Sequence, residues 1–188
     1  VLGCARGLVV PETAPVLDDA ALLRARWVEV ENAARGSQVV WLVFGHNEAA
    51  NRYIDEFVAP QVYERYRIEI QRTCMSDANA VLQDLLSERR QRARSGWADL
   101  LWISGTVYQR AGEGGALYGS WSLRLPNARH VEWSQPSVAN DLGVAAAGYE
   151  APWGQRLLLV LYDAGRVPDP PRTLVALERW LREHPGRF

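Results

Sequence analysis

Along the first hundred residues the apolar positions switch between two periods, which predicts strands and helices in alternation. Three runs have the short, dense apolar pattern of strands: residues 38–44, 67–73 and 98–103. The first run is almost continuously apolar, which is typical of a parallel strand covered on both faces. The sequence therefore predicts a sheet whose first strand is buried.

Helical spacing of apolar residues fills the gaps between these strands. One helix is predicted over 17–34, before the first strand, with a glycine stop. Asn47 is the expected N-cap of a helix through residue 66, which Pro60 should kink or divide. Ser76 or Asp77 should cap the next helix, and a short helix should follow the third strand.

Strand and helix alternating at this spacing predict an α/β fold, in which right-handed crossovers build a parallel sheet with helices on both faces. In such sheets ligands bind beyond the carboxyl ends of the strands. Three segments should therefore converge at one edge: residues 45–47, 74–77 and 104–106.

The second half of the chain is less regular. Residues 112–140 are rich in Gly, Pro, Ser and Asn and predict long ordered loops, with order returning over 144–149. Residues 156–162 predict another buried strand, and Thr173 should cap a final helix. One strand and one helix cannot build a second core, so we expect a chain truncated within a second lobe.

Between these segments lies an irregular stretch, residues 148–155, with two glycines, a proline, a carboxylate and two large aromatic residues. Its glycines permit unusual backbone angles, and Pro152 removes a ladder donor. Two interpretations remain open. The stretch is a turn with Trp153 packed into the core, or it is a binding surface on a rigid base.

Composition excludes some classes of function. The 188 residues are 48% apolar with a formal net charge of −1, which suits a globular domain and argues against nucleic-acid binding through bulk electrostatics. Cys4 and Cys74 have no metal-ligand spacing, and no run reaches the length of a membrane span. Residues 2–4, Leu-Gly-Cys, weakly resemble the end of a bacterial lipoprotein signal, although its apolar core is absent.

Known catalytic motifs are missing: the sequence has no GxSxG elbow, P-loop or HExxH. His46 stands at a strand end before a helix, where an anion would be favoured. An α/β enzyme with Glu150 or Asp77 as a general base near His46 is therefore one hypothesis. A tryptophan-rich interaction domain without a small-molecule site is another.

Several segments together resemble the extracellular solute-binding proteins of bacterial ABC importers, in particular a poorly characterised family grouped with thiamine, iron and polyamine binders. The segments that carry the resemblance are residues 40–54, 99–105, 125–129, 148–154 and 167–173. Two positions depart from the family pattern. Phe44-Gly45-His46 stands where the family has Trp-Gly-Gly, and Ser104 stands in place of an asparagine.

The resemblance implies a two-lobed periplasmic-binding-protein fold of type II. Residues 1–37 would be an N-terminal tail and helix, 38–147 the first lobe, 148–155 a crossing segment and 156–188 the start of the second lobe. The expected function is capture of a small solute for an ABC permease and its ATPase. Such a protein is a monomer in the periplasm or outside the cell, anchored through Cys4 if that residue is lipidated, with no cofactor, metal or nucleic acid.

The residues expected to line the cleft provide backbone donors, polar side chains and an aromatic wall. They are Gly45, His46, Asn51, Asp77, Ser104, Gly105, Thr106, Tyr149, Glu150 and Trp153. The adjacent tyrosine pair typical of ferric-iron binders is not seen in the sequence, which makes iron a less expected solute.

Overall fold

A parallel three-stranded sheet forms the core of the computed structural model, which describes residues 19–91, 96–154 and 159–187. Its strands are β1 (Gln38–Phe44), β2 (Glu69–Met75) and β3 (Leu100–Leu101), in the order β2-β1-β3. β1 pairs with β2 along its whole length, from Gln38 opposite Glu69 to Phe44 opposite Met75. The predicted bounds of the first strand and the parallel α/β arrangement are confirmed.

The side chains of β1 alternate between two apolar layers, as the pleat of a strand requires. Val40 and Leu42 pack with Met75 on one side of the sheet, and Trp41 and Val43 face the other side. Val43 is fully buried and Leu42 nearly so. Helices cover both layers, which explains why this strand is apolar at consecutive positions.

Eight α-helices are assigned within the described residues. In chain order they are α1 (Asp19–Leu22), α2 (Trp27–Ala34), α3 (Glu48–Tyr53), α4 (Ala59–Tyr66), α5 (Ala78–Arg90), α6 (Gly105–Glu113), α7 (Pro136–Ala139) and α8 (Leu174–Glu183). None of the described helices has the length and apolar character that a bilayer crossing needs.

The single helix predicted over 17–34 is wrong, because α1 and α2 are separate. The backbone of Arg26 is extended at the break, and its N–H donates to Glu29 Oε2 at 2.9 Å. The Arg26 guanidinium also holds Glu29 Oε1. This local pairing starts a new helix, which the apolar spacing alone could not reveal.

The helical run 48–66 follows its prediction. Asn47 caps α3 by accepting the N–H of Ala50 at 3.3 Å. Between α3 and α4 the chain takes a π-helical turn, Ile54–Val58, and Pro60 is the second residue of α4. Pro60 lacks an N–H and its ring crowds the preceding helical turn. The wider π-helical turn makes room for this ring and divides the helix into α3 and α4. Arg67 ends the run in the left-handed conformation, with φ of 60°.

The two outer strands differ from their predicted bounds. β2 begins at Glu69 rather than residue 67, because the left-handed Arg67 still belongs to the end of α4. β3 contains only two residues, although Asp99 N–H and Trp102 N–H donate to β1 carbonyls on either side of it. The Asp99 carboxylate accepts the N–H of Val40 at 2.8 Å and so replaces a ladder partner.

Residues 114–149 form loops with short ordered pieces. These pieces are two 3₁₀ turns, Ser122–Arg124 and Pro126–His130, helix α7, and the antiparallel pair β4 (Asn140–Asp141) and β5 (Val144–Ala145). The order predicted over 144–149 is limited to β5, and the rest of that stretch is irregular.

The chain divides into two compact units, Val1–Trp153 and Gly154–Phe188. In the second unit Thr173 caps α8 by accepting the N–H of Ala176 at 3.1 Å, as predicted. The buried strand expected over 156–162 is wrong for its described part: residues 159–162 are exposed and unassigned, and residues 155–158 lie outside the description. A strand needs a pairing neighbour, and the described residues supply none there.

Candidate functional site

Because β1, β2 and β3 are parallel, they end at one edge of the sheet, which we call the carboxyl edge. The turn after β1 meets the end of β2 there. A methyl group built on Gly45 would lie 3.4 Å from Cys74 Cβ and 3.7 Å from its Sγ, so this turn packs directly against the cysteine. The convergence expected for residues 45–47 and Cys74 is present.

Asn51 on α3 ties the same turn to the helix. Its Nδ2 donates to the carbonyl of Phe44 at 3.0 Å and to that of Gly45 at 3.3 Å. The side chain is buried, and its Oδ1 makes no hydrogen bond within the described residues. His46 is exposed at the surface of the turn, with its ring tilted 5.5 Å from that of Phe44.

The third segment of the carboxyl edge is the beginning of α6. Gly105 has φ of 59°, and a methyl group there would lie 3.0 Å from Leu142 Cδ1, so the position suits only glycine. Its N–H donates to the carboxylate of Asp141, a strong charged contact at a helix N-terminus. Ser104 and Thr106, on either side, are exposed, and the Ser104 side chain does not cap the helix.

A second contact joins α6 to the residue that follows β5. The buried Tyr108 hydroxyl donates to the Ala146 carbonyl at 2.6 Å. Burial raises the pKa of Tyr108 to about 12, with contributions from the negative charges of Glu150 and Asp141 and from Tyr149. The phenol therefore stays protonated at neutral pH and remains a donor.

The carboxyl group of Glu150 has a strongly shifted pKa. Burial, and secondarily the charge of Asp141, raise the pKa of Glu150 from 4.5 to about 7. A carboxyl with this pKa exists in both forms near neutrality, so it can donate or accept a hydrogen bond. Such values are frequent in binding and catalytic sites, although structural clusters produce them too.

The stretch that carries Glu150 is built on Gly148. This glycine has φ of 81°, and its carbonyl accepts the N–H groups of Trp121 and Ser122 at 2.8 and 3.0 Å. Tyr149 N–H donates back to the Ala146 carbonyl at 3.0 Å, which closes a turn. The stretch is therefore fixed by backbone hydrogen bonds, with Tyr149 partly exposed on it.

Trp153 is partly packed in the core, as the first of the two interpretations expects, and partly exposed. Its ring lies 5.3 Å from Trp41 and 5.4 Å from Trp102, so it packs on the apolar layer beside α3. It nevertheless remains 48% exposed, 6.2 Å from the ring of Tyr53, which stacks on Phe57 at 5.2 Å. The result is a partly exposed row of aromatic rings anchored in the core.

Asp77 is not joined to these groups by a hydrogen bond or an ion pair among the described residues. Its carboxylate accepts the N–H of Asn79 at 2.8 Å and caps α5, which settles the predicted choice between Ser76 and Asp77. Asn79 Oδ1 in turn accepts from the Arg110 guanidinium at 3.0 Å, joining α5 to α6. Within the described part of the chain, no hydrogen bond links His46 to Asp77 or Glu150.

Sequence reasoning did not identify Asp141 and Tyr108, which connect α6 to the Glu150 stretch. No local pattern joins residue 141 to residue 105, so the sequence carried no signal for this contact. Among the described residues, no group of three or more His, Cys, Asp or Glu side chains is arranged to hold a metal ion.

Comparison with known proteins gives one informative alignment. No family model matches the chain. It is 32% identical over 161 residues to Protein YnjB of Escherichia coli (strain K12), an alignment that covers 85% of this chain and 41% of that protein. The chain thus spans less than half the length of the relative it matches.

Proposed function

We propose that this chain supplies the first lobe of a solute-binding protein of the ABC-importer class, with a type II periplasmic-binding fold. The observation that supports this most is the carboxyl edge, where three parallel strands end beside polar and aromatic groups. Open α/β sheets bind ligands at this edge. In this proposal the cleft is lined by the residues named in the sequence analysis, from Gly45 through Trp153, except that the buried Asn51 lies behind this surface.

Two features support a two-lobed arrangement. The first compact unit ends at Trp153, inside the stretch 148–155 interpreted as a crossing segment. The matched relative is more than twice as long as the aligned region, which leaves room for a further lobe. Closure of two lobes on a solute would then expose a surface for a membrane permease, and binding would select the closed form.

The proposed ligand chemistry follows from the described groups. Glu150 offers a carboxyl that titrates near neutrality, Tyr149 an exposed phenol, and Trp153 a partly exposed indole. Together they suit a polar solute with a flat face, because aromatic faces stack on planar or cationic groups for roughly 0.5 to 2 kcal/mol.

A thermal-shift screen of the protein at its full natural length tests the proposal. Thiamine, spermidine, a phosphonate, a sugar, an amino acid and ferric iron are suitable probes. A solute at a hundred times its Kd adds about 2.7 kcal/mol to the free energy of unfolding, which raises Tm clearly. A folded protein that no probe stabilises would count against a site for these classes of solute.

Trp153→Ala distinguishes a binding tryptophan from a structural one. Phe57→Ala is the matched control, because Phe57 belongs to the same aromatic row but not to the predicted cleft. The proposal expects the solute-induced shift to disappear in Trp153→Ala and to persist in Phe57→Ala. Equal shifts in both variants would show that the solute binds without Trp153, which would remove this residue from the proposed cleft.

The raised pKa of Glu150 also keeps the enzyme hypothesis in view, because a general base works best with a pKa near the working pH. An enzyme would convert a stabilising compound, whereas a binding protein would return it unchanged. Incubation of any hit with the protein, followed by mass spectrometry of the compound, separates the two, with Glu150→Gln as the variant that should abolish conversion.

A further inference from the structure

The most unusual polar side chain near the carboxyl edge is the amide of Asn51. It is only 7% exposed, yet it lies on the first helix after β1 and faces the backbone where that strand ends. Its Nδ2 reaches two successive carbonyls, those of Phe44 and Gly45, at 3.0 and 3.3 Å. One amide group therefore holds both the last residue of the strand and the first residue of the turn.

The orientation of the amide follows from its neighbours. The two groups that Asn51 faces are acceptors, so the NH₂ end must point at them, and a reversed amide would set oxygen against oxygen. Its Oδ1 then lies away from them with less than 1 Å² of accessible surface and no hydrogen bond within the described residues. A solute at the surface cannot touch this oxygen in the observed conformation.

The turn that Asn51 holds carries two of the predicted cleft residues. Gly45 and His46 are both exposed, whereas Asn51 is not. The Phe44 carbonyl also accepts the N–H of Asn47 at 3.4 Å, a long bond that holds the turn weakly by itself. The Asn51 amide therefore supplies the stronger constraint on this turn.

We propose that Asn51 is a positioning residue, which sets the Phe44–His46 turn for solute binding and does not contact the solute itself. The role of this turn in solute binding rests on the proposed function, but the effect of Asn51 on the turn can be measured without any ligand. Loss of its two donated bonds should change the turn far more than it changes the sheet.

Asn51→Asp is the sharpest variant, because it keeps the shape and removes the NH₂ donor. An ionised Asp would repel both carbonyls, whereas a protonated Asp can donate to one of them. We expect the amide ¹H–¹⁵N signals of Gly45 and His46 to move away from wild type at neutral pH. At mildly acidic pH they should return toward the wild-type positions recorded at the same pH.

A role confined to filling space predicts the same Gly45 and His46 signals in Asn51→Asp and wild type at both pH values, and that result would overturn the proposal. Leu82→Ala is the control for a general loss of stability, because Leu82 is buried on α5, a helix that does not carry Asn51. It should lower Tm without moving these two signals. Movement in Leu82→Ala equal to that in the Asn51 variant would also refute a specific positioning role.

Cys74 provides a second readout, which needs only a soluble variant. Since Gly45 packs against this thiol, a loosened turn should let dithionitrobenzoate react faster with it, in a Cys4→Ser background that leaves a single cysteine. Loss of two hydrogen bonds, each worth about 1 kcal/mol, predicts roughly a thirtyfold faster reaction for Asn51→Ala. An unchanged rate with an unchanged Gly45 signal would overturn the proposal.

The outcomes separate this inference from the proposed function. A shifted turn in a protein that no screened probe stabilises leaves the positioning role standing and counts against solute binding. A probe that stabilises wild type and Asn51→Ala equally, with the turn unmoved, supports solute binding and refutes the positioning role.

Discussion

The replacement Asp141→Asn tests the electrostatic link between α6 and the Glu150 stretch. The Asp141 carboxylate accepts the N–H of Gly105 at the start of α6, and its charge is the second cause of the raised pKa of Glu150. Asparagine keeps an oxygen that can accept the same N–H but removes the charge. The variant should therefore weaken the contact with Gly105 and relieve the charge repulsion between residue 141 and Glu150.

The weakened interaction, between residue 141 and the N-terminus of α6, does not depend on the protonation of Glu150. A hydrogen bond to a charged group contributes about 1 kcal/mol more than a neutral one, and a carboxylate at a helix N-terminus contributes about 0.3 to 1 kcal/mol through the dipole. These two estimates describe largely the same contact. We expect the free energy of unfolding to fall by about 1 kcal/mol at mildly acidic pH.

The relieved interaction appears only when Glu150 is ionised. The pKa of Glu150 is about 7 in the folded chain and 4.5 in its ordinary state, so the folded state holds a proton that the unfolded state has lost between these values. Its contribution to stability is therefore complete below 4.5 and is lost as the pH rises through about 7. Because the carboxyl is only half-buried, we expect this loss to be about 1 to 2 kcal/mol rather than the full linkage value.

Without Asp141, the pKa of Glu150 should fall from about 7 but remain above 4.5, since burial is the larger cause. Stability should then decline less steeply with pH in the variant. The cost of the replacement should shrink from about 1 kcal/mol near pH 5 to about 0.5 kcal/mol or less near pH 8.5. Urea unfolding at both pH values measures this, and ¹³C NMR of the Glu150 carboxyl measures the pKa directly.

Asp163→Asn is the matched control, because Asp163 pairs with Arg166 in the second compact unit at an exposed site. Its effect on stability should be small at both pH values. An unchanged pKa of Glu150 in Asp141→Asn, or a cost that grows with pH, would refute the electrostatic account.

Three further changes test individual contacts. Tyr108→Phe should cost about 1 kcal/mol by urea unfolding, because it loses the short hydrogen bond to the Ala146 carbonyl and a long one, 3.4 Å, to that of Ala145, while the Ala146 carbonyl keeps the N–H of Tyr149; a cost above 3 kcal/mol would contradict this. Asp55→Asn breaks the two-pronged contact with Arg72 and should cost about 1 kcal/mol at low salt, and less in 1 M NaCl, since the pair is partly exposed. Thr173→Ala should cost about 1 kcal/mol of local stability, seen as faster amide exchange in α8 and not in β1.

The parts of the fold that follow from local pattern were predictable. The first strand is almost continuously apolar because helices cover both faces of its sheet, and Asn47, Asp77 and Thr173 cap helices by the chemistry expected of them. Prediction failed where the structure depends on contacts between residues that are distant in sequence. Residues 159–162 are as apolar as a strand, yet their described backbone is exposed and unpaired with any described strand, and periodicity carries no information about pairing neighbours.

The candidate site, too, was only partly predictable from the sequence, for a different reason. Strand order places residues 45–47, 74–77 and 104–106 near one edge, so their position follows from the parallel sheet alone. What each side chain does there depends on contacts that sequence spacing does not encode. Asn51 faces inward to hold a turn, Gly105 gives its N–H to Asp141 thirty-six residues away, and Asp77 is occupied as a cap. A ligand that uses the α6 N-terminus must therefore displace Asp141 or bind beside it. A solute with a hydrogen-bond donor, able to engage Glu150 and Asp141 together, fits that arrangement better than an anion does.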